Sequence, residues 1–389
     1  MLFVWNICYT DFMKSYKLSE ISNKRILGRS AFCNGEDEIL PLFWAASALE
    51  INVKSKEVWI LLSSDYDTSE PWISVYINGS PVSRFMVEKG QPEWVCICRG
   101  MNPEKENLIS IYKDTQPMTG EAHHSLFIHQ VGLSDDGSFA EIKTRKLSIE
   151  FVGDSITSGE GLAGNPDEME WITQWFVGSK TYAAQAARAL DADFSVVSQC
   201  GWGLCWGWDG NPGSRIPPFY EQVCGVAWGD YQEKLGAHKK WDFKGGSDFV
   251  VINLGTNDNG AFFQAPWNAE KEGLKYKLNL ENGVPAEKER EDITSGVIDF
   301  LKTVRRCNPS AKIIWVWGMI KLDVVPPVIC AAIKKYREVS GDNLVYTLEL
   351  DSMEDVEKLS EDKGSRGHPG PKTHKLAAEK LTDCIKRLL

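Results

Sequence analysis

A serine follows a predicted strand in the stretch 146–162, in a setting that suggests chemistry. Apolar and polar residues alternate from Leu147 to Phe151, which is typical of a strand, and the pattern breaks at Gly153-Asp154-Ser155. A strand end would hold Ser155 on a rigid scaffold, and the first turn of a following helix would offer unpaired N–H groups to an oxyanion. We therefore predict that Ser155 is a nucleophile. The alternative is that Ser155 and Asp154 only cap a helix.

Two further blocks follow predicted strands and could supply an oxyanion hole. Gly201, in the run 198–203, would let the backbone approach a ligand and present an N–H, although glycines after a strand are common in any turn. Asn257, in the Gly-Thr-Asn-Asp run 255–258, could aim its side-chain amide at the same oxyanion. An Asx-turn or a helix N-cap is the alternative for Asn257.

A histidine lies in the loop before the last predicted helix. His368, within Gly367-His368-Pro369, could act as a general base there. His374 falls inside the helix, on the face that also carries Ala378 and Leu381, and we predict a structural role for it.

The elements that would position these residues belong to two regions. Residues 1–145 contain short runs with period two, separated by turn signals such as Asn78-Gly79, and this pattern predicts an antiparallel β-sandwich of roughly ten strands. Residues 146–389 alternate apolar strands with helices, which predicts a three-layer α/β/α domain with a parallel sheet. Two long insertions, 202–246 and 259–291, would leave strand ends on the edge that carries Ser155.

The composition disfavours several classes of partner. The 389 residues carry a formal net charge of −11, which disfavours nucleic acid and anionic membrane surfaces. A neutral polymer or small molecule fits better, and the 15 tryptophans and 11 tyrosines could pack on sugar rings or fill the core.

Neither the cysteines nor the clustered histidines suggest a metal site. The ten cysteines lack the paired spacing of zinc ligands, and we expect free buried thiols. The spacing of His123, His124 and His129 also suits no metal site, and strand surface or a domain interface is expected for them. The first dozen residues make a poor signal peptide and no run is long enough to span a membrane, so we predict a cytoplasmic protein.

The four blocks together carry a resemblance to a known family. Gly153-Asp154-Ser155, Gly201, the run 255–258 and His368-Pro369 occur in the order and setting of the SGNH (GDSL-type) hydrolases. The resemblance covers residues 147–389. With its β-rich region in front, the chain resembles carbohydrate esterase family 2, whose members pair a jelly roll with an SGNH domain and remove acetyl groups from plant polysaccharides.

The resemblance implies a role for each matching residue. Ser155 would be the nucleophile and His368 the base, while Asn257, Gly201 and the Ser155 backbone would donate to the oxyanion. Many SGNH enzymes have an aspartate three residues before the histidine, where this chain has Ser365. The resemblance therefore favours a Ser-His dyad.

Some other acceptor ought then to hold the His368 imidazole. We expect a backbone carbonyl of the loop 361–367, in which Gly364 and Gly367 give the backbone freedom to turn inward. The alternatives are the Ser365 hydroxyl and the carboxylates of Asp362 and Glu361.

The expected function is a serine esterase that removes O-acetyl groups from xylan- or mannan-derived oligosaccharides through an acyl-enzyme, with no metal or cofactor. The candidate substrate-binding residues are Trp202, Trp206, Trp208 and Asp154. At least one of the three tryptophans should line the sugar site, and core packing is the alternative for each ring. A lipid or thioester hydrolase, or a carbohydrate-binding protein that has lost its chemistry, are the alternative functions.

Overall fold

The structure is a computed structural model that describes residues 13–31, 39–269, 273–354 and 362–389. Glu361, one of the acceptors considered for His368, lies outside these residues. The opening dozen residues, on which the signal-peptide prediction rests, lie outside them as well.

The N-terminal region is a sandwich of two antiparallel sheets, as predicted. One sheet has the order β1-β10-β5-β8 with β3 paired to β10, and the other has the order β11-β4-β9-β6-β7 with β2 paired to β4. The strands of this region are β1 (Met13–Lys17), β2 (Lys24–Leu27), β3 (Leu40–Pro41), β4 (Ala48–Lys54), β5 (Glu57–Asp65), β6 (Trp72–Ile77), β7 (Ser80–Met86), β8 (Glu93–Arg99), β9 (Asn107–Lys113), β10 (Ser125–Ser134) and β11 (Ser138–Ala140). Alternate residues such as Ile51 and Val53 of β4 and Ile60 and Leu62 of β5 point inward and share one apolar core, as two facing sheets require. The jelly-roll connectivity stays a prediction.

The second region alternates strands and helices. Its elements are β12 (Leu147–Gly153), α1 (Ser155–Ser158), α2 (Tyr182–Ala189), β13 (Ala192–Ser198), α3 (Asp230–Lys234), β14 (Phe249–Asn253), α4 (Thr256–Ala261), β15 (Trp267–Ala269), β16 (Leu274–Tyr276), β17 (Leu280–Glu281), β18 (Val284–Pro285), α5 (Glu287–Cys307), β19 (Lys312–Trp317), α6 (Pro326–Ser340), β20 (Val345–Glu349) and α7 (Pro371–Leu388). Five of the strands form a parallel sheet in the order β13-β12-β14-β19-β20. The predicted parallel sheet is thus confirmed.

Helices cover both faces of this sheet. Phe151 and Val251 pack in the core that includes residues of α2 and α7, whereas their neighbours Val152 and Ile252 pack in the core that includes residues of α5 and α6. Both faces are buried, which is why these strands read as continuous apolar runs. Among the described residues, the helices are all too short or too polar to cross a bilayer.

The strand order places a crevice beside β12. The chain passes from β12 to β13 on one side and then to β14 on the other, so the connections leave the carboxyl end of β12 in opposite directions. Ligands bind at such switch points in open α/β sheets. The candidate serine lies two residues beyond the end of β12.

Candidate active site

Three of the four sequence blocks begin at the same level of the sheet. Gly153, the last residue of β12, lies in register with Ser198 at the end of β13 and with Asn253 at the end of β14. The parallel strands therefore deliver the residues that follow them to one edge. This register brings the loops of Ser155, Gly201 and Asn257 together, as the sequence predicts.

Ser155 is the first residue of the short helix α1. The Asp154 carboxylate accepts a hydrogen bond from the Ile156 N–H at 3.0 Å, which fixes the first turn. The Ser155 N–H has no acceptor within the described residues. This turn therefore presents both a hydroxyl and a free backbone donor.

Close packing under Ser155 requires glycine at the end of β12. A Cβ placed on Gly153 would lie 2.1 Å from Thr157 Oγ1, a distance that no side chain could tolerate. The glycine of the Gly-Asp-Ser block thus allows α1 to fold back onto the strand, so it serves the geometry of the turn.

His368 is hydrogen-bonded to Ser155. Its Nε2 atom lies 2.9 Å from Ser155 Oγ, which is within reach for transfer of the hydroxyl proton. Backbone hydrogen bonds hold the loop that carries it, among them those from Gly364 N–H to the His368 carbonyl at 2.8 Å and from Ser365 N–H to the Gly161 carbonyl at 2.9 Å. The structure thus pairs the predicted nucleophile with the predicted base.

Asn257 and Gly201 lie in the loops that follow β14 and β13, the two strands that flank β12. The Asn257 side-chain amide donates to the Trp202 carbonyl at 2.8 Å, which ties the third block to the residue after Gly201. Gly201 has a positive φ of 74°, and its N–H has no acceptor within the described residues. With the Ser155 N–H, this arrangement can serve an oxyanion.

Asp258 holds the loop that follows Gly201, a role that the sequence analysis did not assign. Its buried carboxylate accepts the backbone N–H groups of Leu204, Cys205 and Trp206 at 2.8, 2.7 and 3.0 Å. Burial raises the pKa of Asp258, while these three donors oppose the rise. The signal in the sequence was the acid next to Asn257, but its partners lie about fifty residues earlier in the chain.

Glu160 is a second residue that the sequence analysis missed. Its buried carboxylate lies 3.6 Å from His368 Nε2 and accepts a hydrogen bond from Arg366 Nε at 3.0 Å. The flanking Gly159 and Gly161 both have positive φ, and these turns bring the side chain back toward the histidine. A charged residue between glycines directly after the nucleophile block was the available signal.

No acceptor that orients the His368 imidazole is found in the part of the chain that the structure describes. His368 Nδ1 has no hydrogen-bond partner within the described residues, and neither does the Ser365 hydroxyl. The predicted backbone carbonyl of the loop is therefore not found among residues 362–367. Asp362 instead accepts from the N–H and the hydroxyl of Thr373, at 2.6 and 3.0 Å, and so it caps α7 rather than the imidazole.

The three candidate tryptophans have different positions. Trp208 is 54% exposed, and its indole covers Gly201, since a Cβ placed there would lie 2.9 Å from Trp208 Cδ1. Trp202 is half-buried and packs on Phe219 with ring centroids 5.4 Å apart. Trp206 is only 5% exposed and belongs to the core. The prediction that Trp206 contacts the substrate is therefore wrong, because the Trp206 N–H donates to the buried Asp258 carboxylate and the ring packs in the core.

Asp154 is also unsuited to substrate binding. It is fully buried, one carboxylate oxygen caps α1, and the other has no hydrogen-bond partner within the described residues. Burial raises the pKa of this carboxyl to about 7. The structure therefore corrects the prediction that Asp154 contacts the substrate.

The structure also describes His374 and eight of the cysteines. His374 is fully buried and its Nδ1 accepts from the Tyr182 N–H at 3.0 Å, so its structural role is confirmed. Burial lowers its pKa to about 3. The eight cysteines in the described part of the chain are free thiols. Within the same ranges no cluster of three or more His, Cys, Asp or Glu side chains could hold a metal ion.

The sheet, the Ser-His pair and the oxyanion donors together define a class of hydrolase. A profile of the GDSL-like lipase/acylhydrolase family matches residues 151–376. This match spans more than half of the chain, and the chain therefore belongs to that family.

Solved structures extend the likeness to the N-terminal sandwich. An acetyl xylan esterase, Est2A, from the rumen bacterium Butyrivibrio proteoclasticus superimposes with a TM-score of 0.90 at 35% identity, over 96% of this chain and 98% of that one. A family two carbohydrate esterase from Clostridium thermocellum, solved in complex with cellohexaose, gives a TM-score of 0.74 at 24% identity, over 94% of this chain and 98% of that one. At the lower identity the likeness shows a shared fold alone.

Curated proteins of similar sequence are also named as esterases. The cellulase/esterase CelE of Acetivibrio thermocellus is 28% identical over 357 residues, which are 89% of this chain and 37% of CelE. An acetylxylan esterase/glucomannan deacetylase of Cellvibrio japonicus is 24% identical over 189 residues, which are 48% of this chain and 49% of that protein. This chain thus matches less than half the length of either curated relative.

Proposed function

We propose that this protein is a serine esterase that removes O-acetyl groups from xylan- or mannan-derived oligosaccharides. The observation that carries the proposal is the 2.9 Å hydrogen bond between Ser155 Oγ and His368 Nε2, beside the free N–H groups of Ser155 and Gly201. A hydroxyl nucleophile, a general base and an oxyanion hole are the groups that catalyse acyl transfer. The acetyl xylan esterase from Butyrivibrio, at 35% identity over nearly the whole chain, supports acetylated xylan as the substrate class.

The reaction follows from the positions of these groups. His368 takes the Ser155 proton as Oγ attacks the acetyl carbonyl, and the oxyanion draws on Ser155 N–H, Gly201 N–H and the Asn257 amide. His368 then returns the proton to the leaving sugar oxygen, which releases the deacetylated hydroxyl and leaves acetyl-Ser155. Water, deprotonated by His368, attacks the acetyl group, and acetate leaves while Ser155 regains its proton.

Glu160 supports the charge that develops on His368. The imidazole becomes a cation when it takes the serine proton, and a carboxylate 3.6 Å from Nε2 stabilises that cation. The pairing of Glu160 with Arg366 holds the carboxylate in place but also offsets part of its charge.

Exposed aromatic rings favour a sugar over a long acyl chain. Trp208 stands over Gly201 on one side of the site. On the His368 side, the loop that carries the partly exposed Trp171 is held by Arg366, which donates to the Met169 carbonyl at 3.1 Å. Flat rings on both sides suit the faces of sugar rings in a neutral polymer.

A cytoplasmic location is part of the proposal and is supported by the free cysteines of the described residues, since thiols stay reduced in the cytosol. The substrates would then be imported oligosaccharides.

The test is release of acetate from acetylated xylan, acetylated mannan and aryl esters of increasing acyl length. We expect acetate from at least one acetylated polysaccharide or its oligosaccharides, and a steep loss of rate on aryl esters beyond acetate. Preference for long acyl chains would identify a lipid or thioester hydrolase instead, and no hydrolysis at all would leave a carbohydrate-binding protein.

A further inference from the structure

We infer that Gln116, a residue of the N-terminal sandwich region, is a positioning residue for the oxyanion hole of the neighbouring α/β region. The inference rests on the proposed esterase function. It assigns the N-terminal region a part in the chemistry, through a hydrogen bond to the peptide chain next to Gly201.

The contact joins the two regions at the second sequence block. Gln116 is buried and its Oε1 accepts the Cys200 N–H at 2.8 Å. Cys200 directly precedes Gly201, and its carbonyl carbon is bonded to the Gly201 nitrogen. The hydrogen bond to Gln116 therefore fixes the N–H end of the residue that carries the Gly201 peptide bond. Burial and the nearby Glu160 carboxylate keep the pKa of the Cys200 thiol well above its usual value.

Gln116 is itself held rigidly. Its backbone carbonyl accepts from the buried Lys113 Nζ at 3.3 Å, and the same nitrogen donates to the Phe43 carbonyl at 2.6 Å. A side chain whose own backbone is fixed in this way can transmit a fixed position to Cys200. An oxyanion donor must lie within a few tenths of an ångström of its optimum, so the position of this peptide matters for the rate.

Other contacts hold the two regions together without Gln116. Asp114 Oδ1 accepts the Ser179 N–H at 3.0 Å, and Trp44 Nε1 donates to the Val223 carbonyl at 2.6 Å. Gln232 Nε2 donates to the His124 carbonyl at 2.8 Å. The docking of the regions therefore does not depend on the Gln116 bond, which is the one of these contacts that ends beside Gly201.

The experiment compares Gln116→Met with Gln232→Met. Both variants lose a buried glutamine that makes a 2.8 Å hydrogen bond between the regions, but only Gln116 contacts the oxyanion turn. Loss of a whole oxyanion donor costs about 10²–10³ in kcat, and a displaced donor should cost less, so we expect about a tenfold fall in kcat on an aryl acetate for Gln116→Met. KM should stay within about twofold, because the bond acts on the transition state.

A second readout is the affinity for phenylboronic acid. Its boron accepts the Ser155 oxygen to form a tetrahedral anion while His368 takes the hydroxyl proton, so its dissociation constant reports on the oxyanion hole. We expect about a tenfold weaker affinity for Gln116→Met and no change for Gln232→Met, with similar falls in melting temperature for both. If Gln116→Met does not fold, Gln116→Asn serves, since its amide is one methylene too short to reach Cys200, and the same losses are expected.

The inference is overturned if the Gln116 variant keeps kcat and boronate affinity within about twofold of Gln232→Met. That result is distinct from failure of the proposed function, which would be seen as a wild-type protein that hydrolyses no ester.

Discussion

The two sides of the candidate active site are built in different ways. The Ser155 turn is organised by its own neighbours: Asp154 caps α1, and Gly153 allows the close approach of Thr157. The turn after Gly201 is organised from elsewhere in the chain, by Asn257, Asp258 and Gln116. The nucleophile side is therefore a local structure, whereas the oxyanion side depends on tertiary contacts.

The largest expected effect is on the nucleophile side. Ser155→Ala and His368→Ala should each lower kcat by on the order of 10⁶, and the double variant should lose scarcely more, because the two residues act as a unit. The measurement is single-turnover hydrolysis of an aryl acetate, with circular dichroism to check the fold. Near-normal turnover by Ser155→Ala would show that another residue is the nucleophile.

The oxyanion side should be more tolerant. Asn257→Ala is expected to lower kcat by roughly 10²–10³, because the backbone donors of Ser155 and Gly201 remain. The variant also releases the Trp202 carbonyl, so its effect should be larger than that of Gln116→Met. A loss as large as that of Ser155→Ala would mean that the two sides do not differ as the structure indicates.

Glu160 lies 3.6 Å from His368 Nε2, and Glu160→Gln should lower kcat by about 10–10²-fold. The attraction between unit charges at this separation is a few kcal/mol at an effective dielectric constant of about 20, and Arg366 offsets part of it. Asp362→Asn is the matched control. It also replaces a carboxylate by an amide, in the loop before His368, but Asp362 caps α7. The kcat of this variant should therefore stay within about tenfold of the wild-type value. A larger loss for Asp362→Asn than for Glu160→Gln would reassign the supporting acid.

Variants of the tryptophans in the Gly201 loop should distinguish substrate binding from core packing. Trp208→Ala is expected to raise KM for acetylated oligosaccharides about tenfold and to leave hydrolysis of a small aryl acetate nearly unchanged, because its ring is exposed. Trp206→Ala should instead lower the stability by about 3–5 kcal/mol, as expected for a large core side chain. Equal losses on both substrates for Trp208→Ala, with a lowered melting temperature, would place Trp208 in the core as well.

Asp154→Asn should have the smallest effect on the rate, and it tests the pH dependence of the free energy of unfolding. The pKa of this carboxyl is raised to about 7 in the folded protein and is about 3.9 in an unfolded chain. Between these values the folded state holds a proton that the unfolded state lacks, so the Asp154 contribution to the free energy of unfolding falls as pH rises from about 4 to 7. Asp154→Asn should flatten that slope and be more stable than the wild type at pH 8. Urea denaturation at several pH values measures it, and parallel profiles for the two proteins would contradict the burial of an ionisable Asp154.

The sequence alone predicted the elements whose signals are local. The period-two runs gave the antiparallel sandwich, and continuous apolar runs such as 249–254 gave the buried parallel strands, since a strand covered on both faces has no polar positions. Ser155, Asn257 and His368 could be proposed because each follows or precedes an element at a predictable edge of the sheet. The register of Gly153 with Ser198 and Asn253 then brought the blocks of Ser155, Gly201 and Asn257 together.

The tertiary structure decided which side chains face the site and which face the core. The sequence does not distinguish between Trp202, Trp206 and Trp208. In the structure the backbone of Trp206 is hydrogen-bonded to the buried carboxylate of Asp258, whereas Trp208 is exposed. No local pattern showed the partners of Glu160 and Gln116, because His368 and Cys200 lie 208 and 84 residues away. Local patterns determine strands, helices and the turns at their ends, whereas a side chain's partner across the chain is fixed only when the whole core has packed.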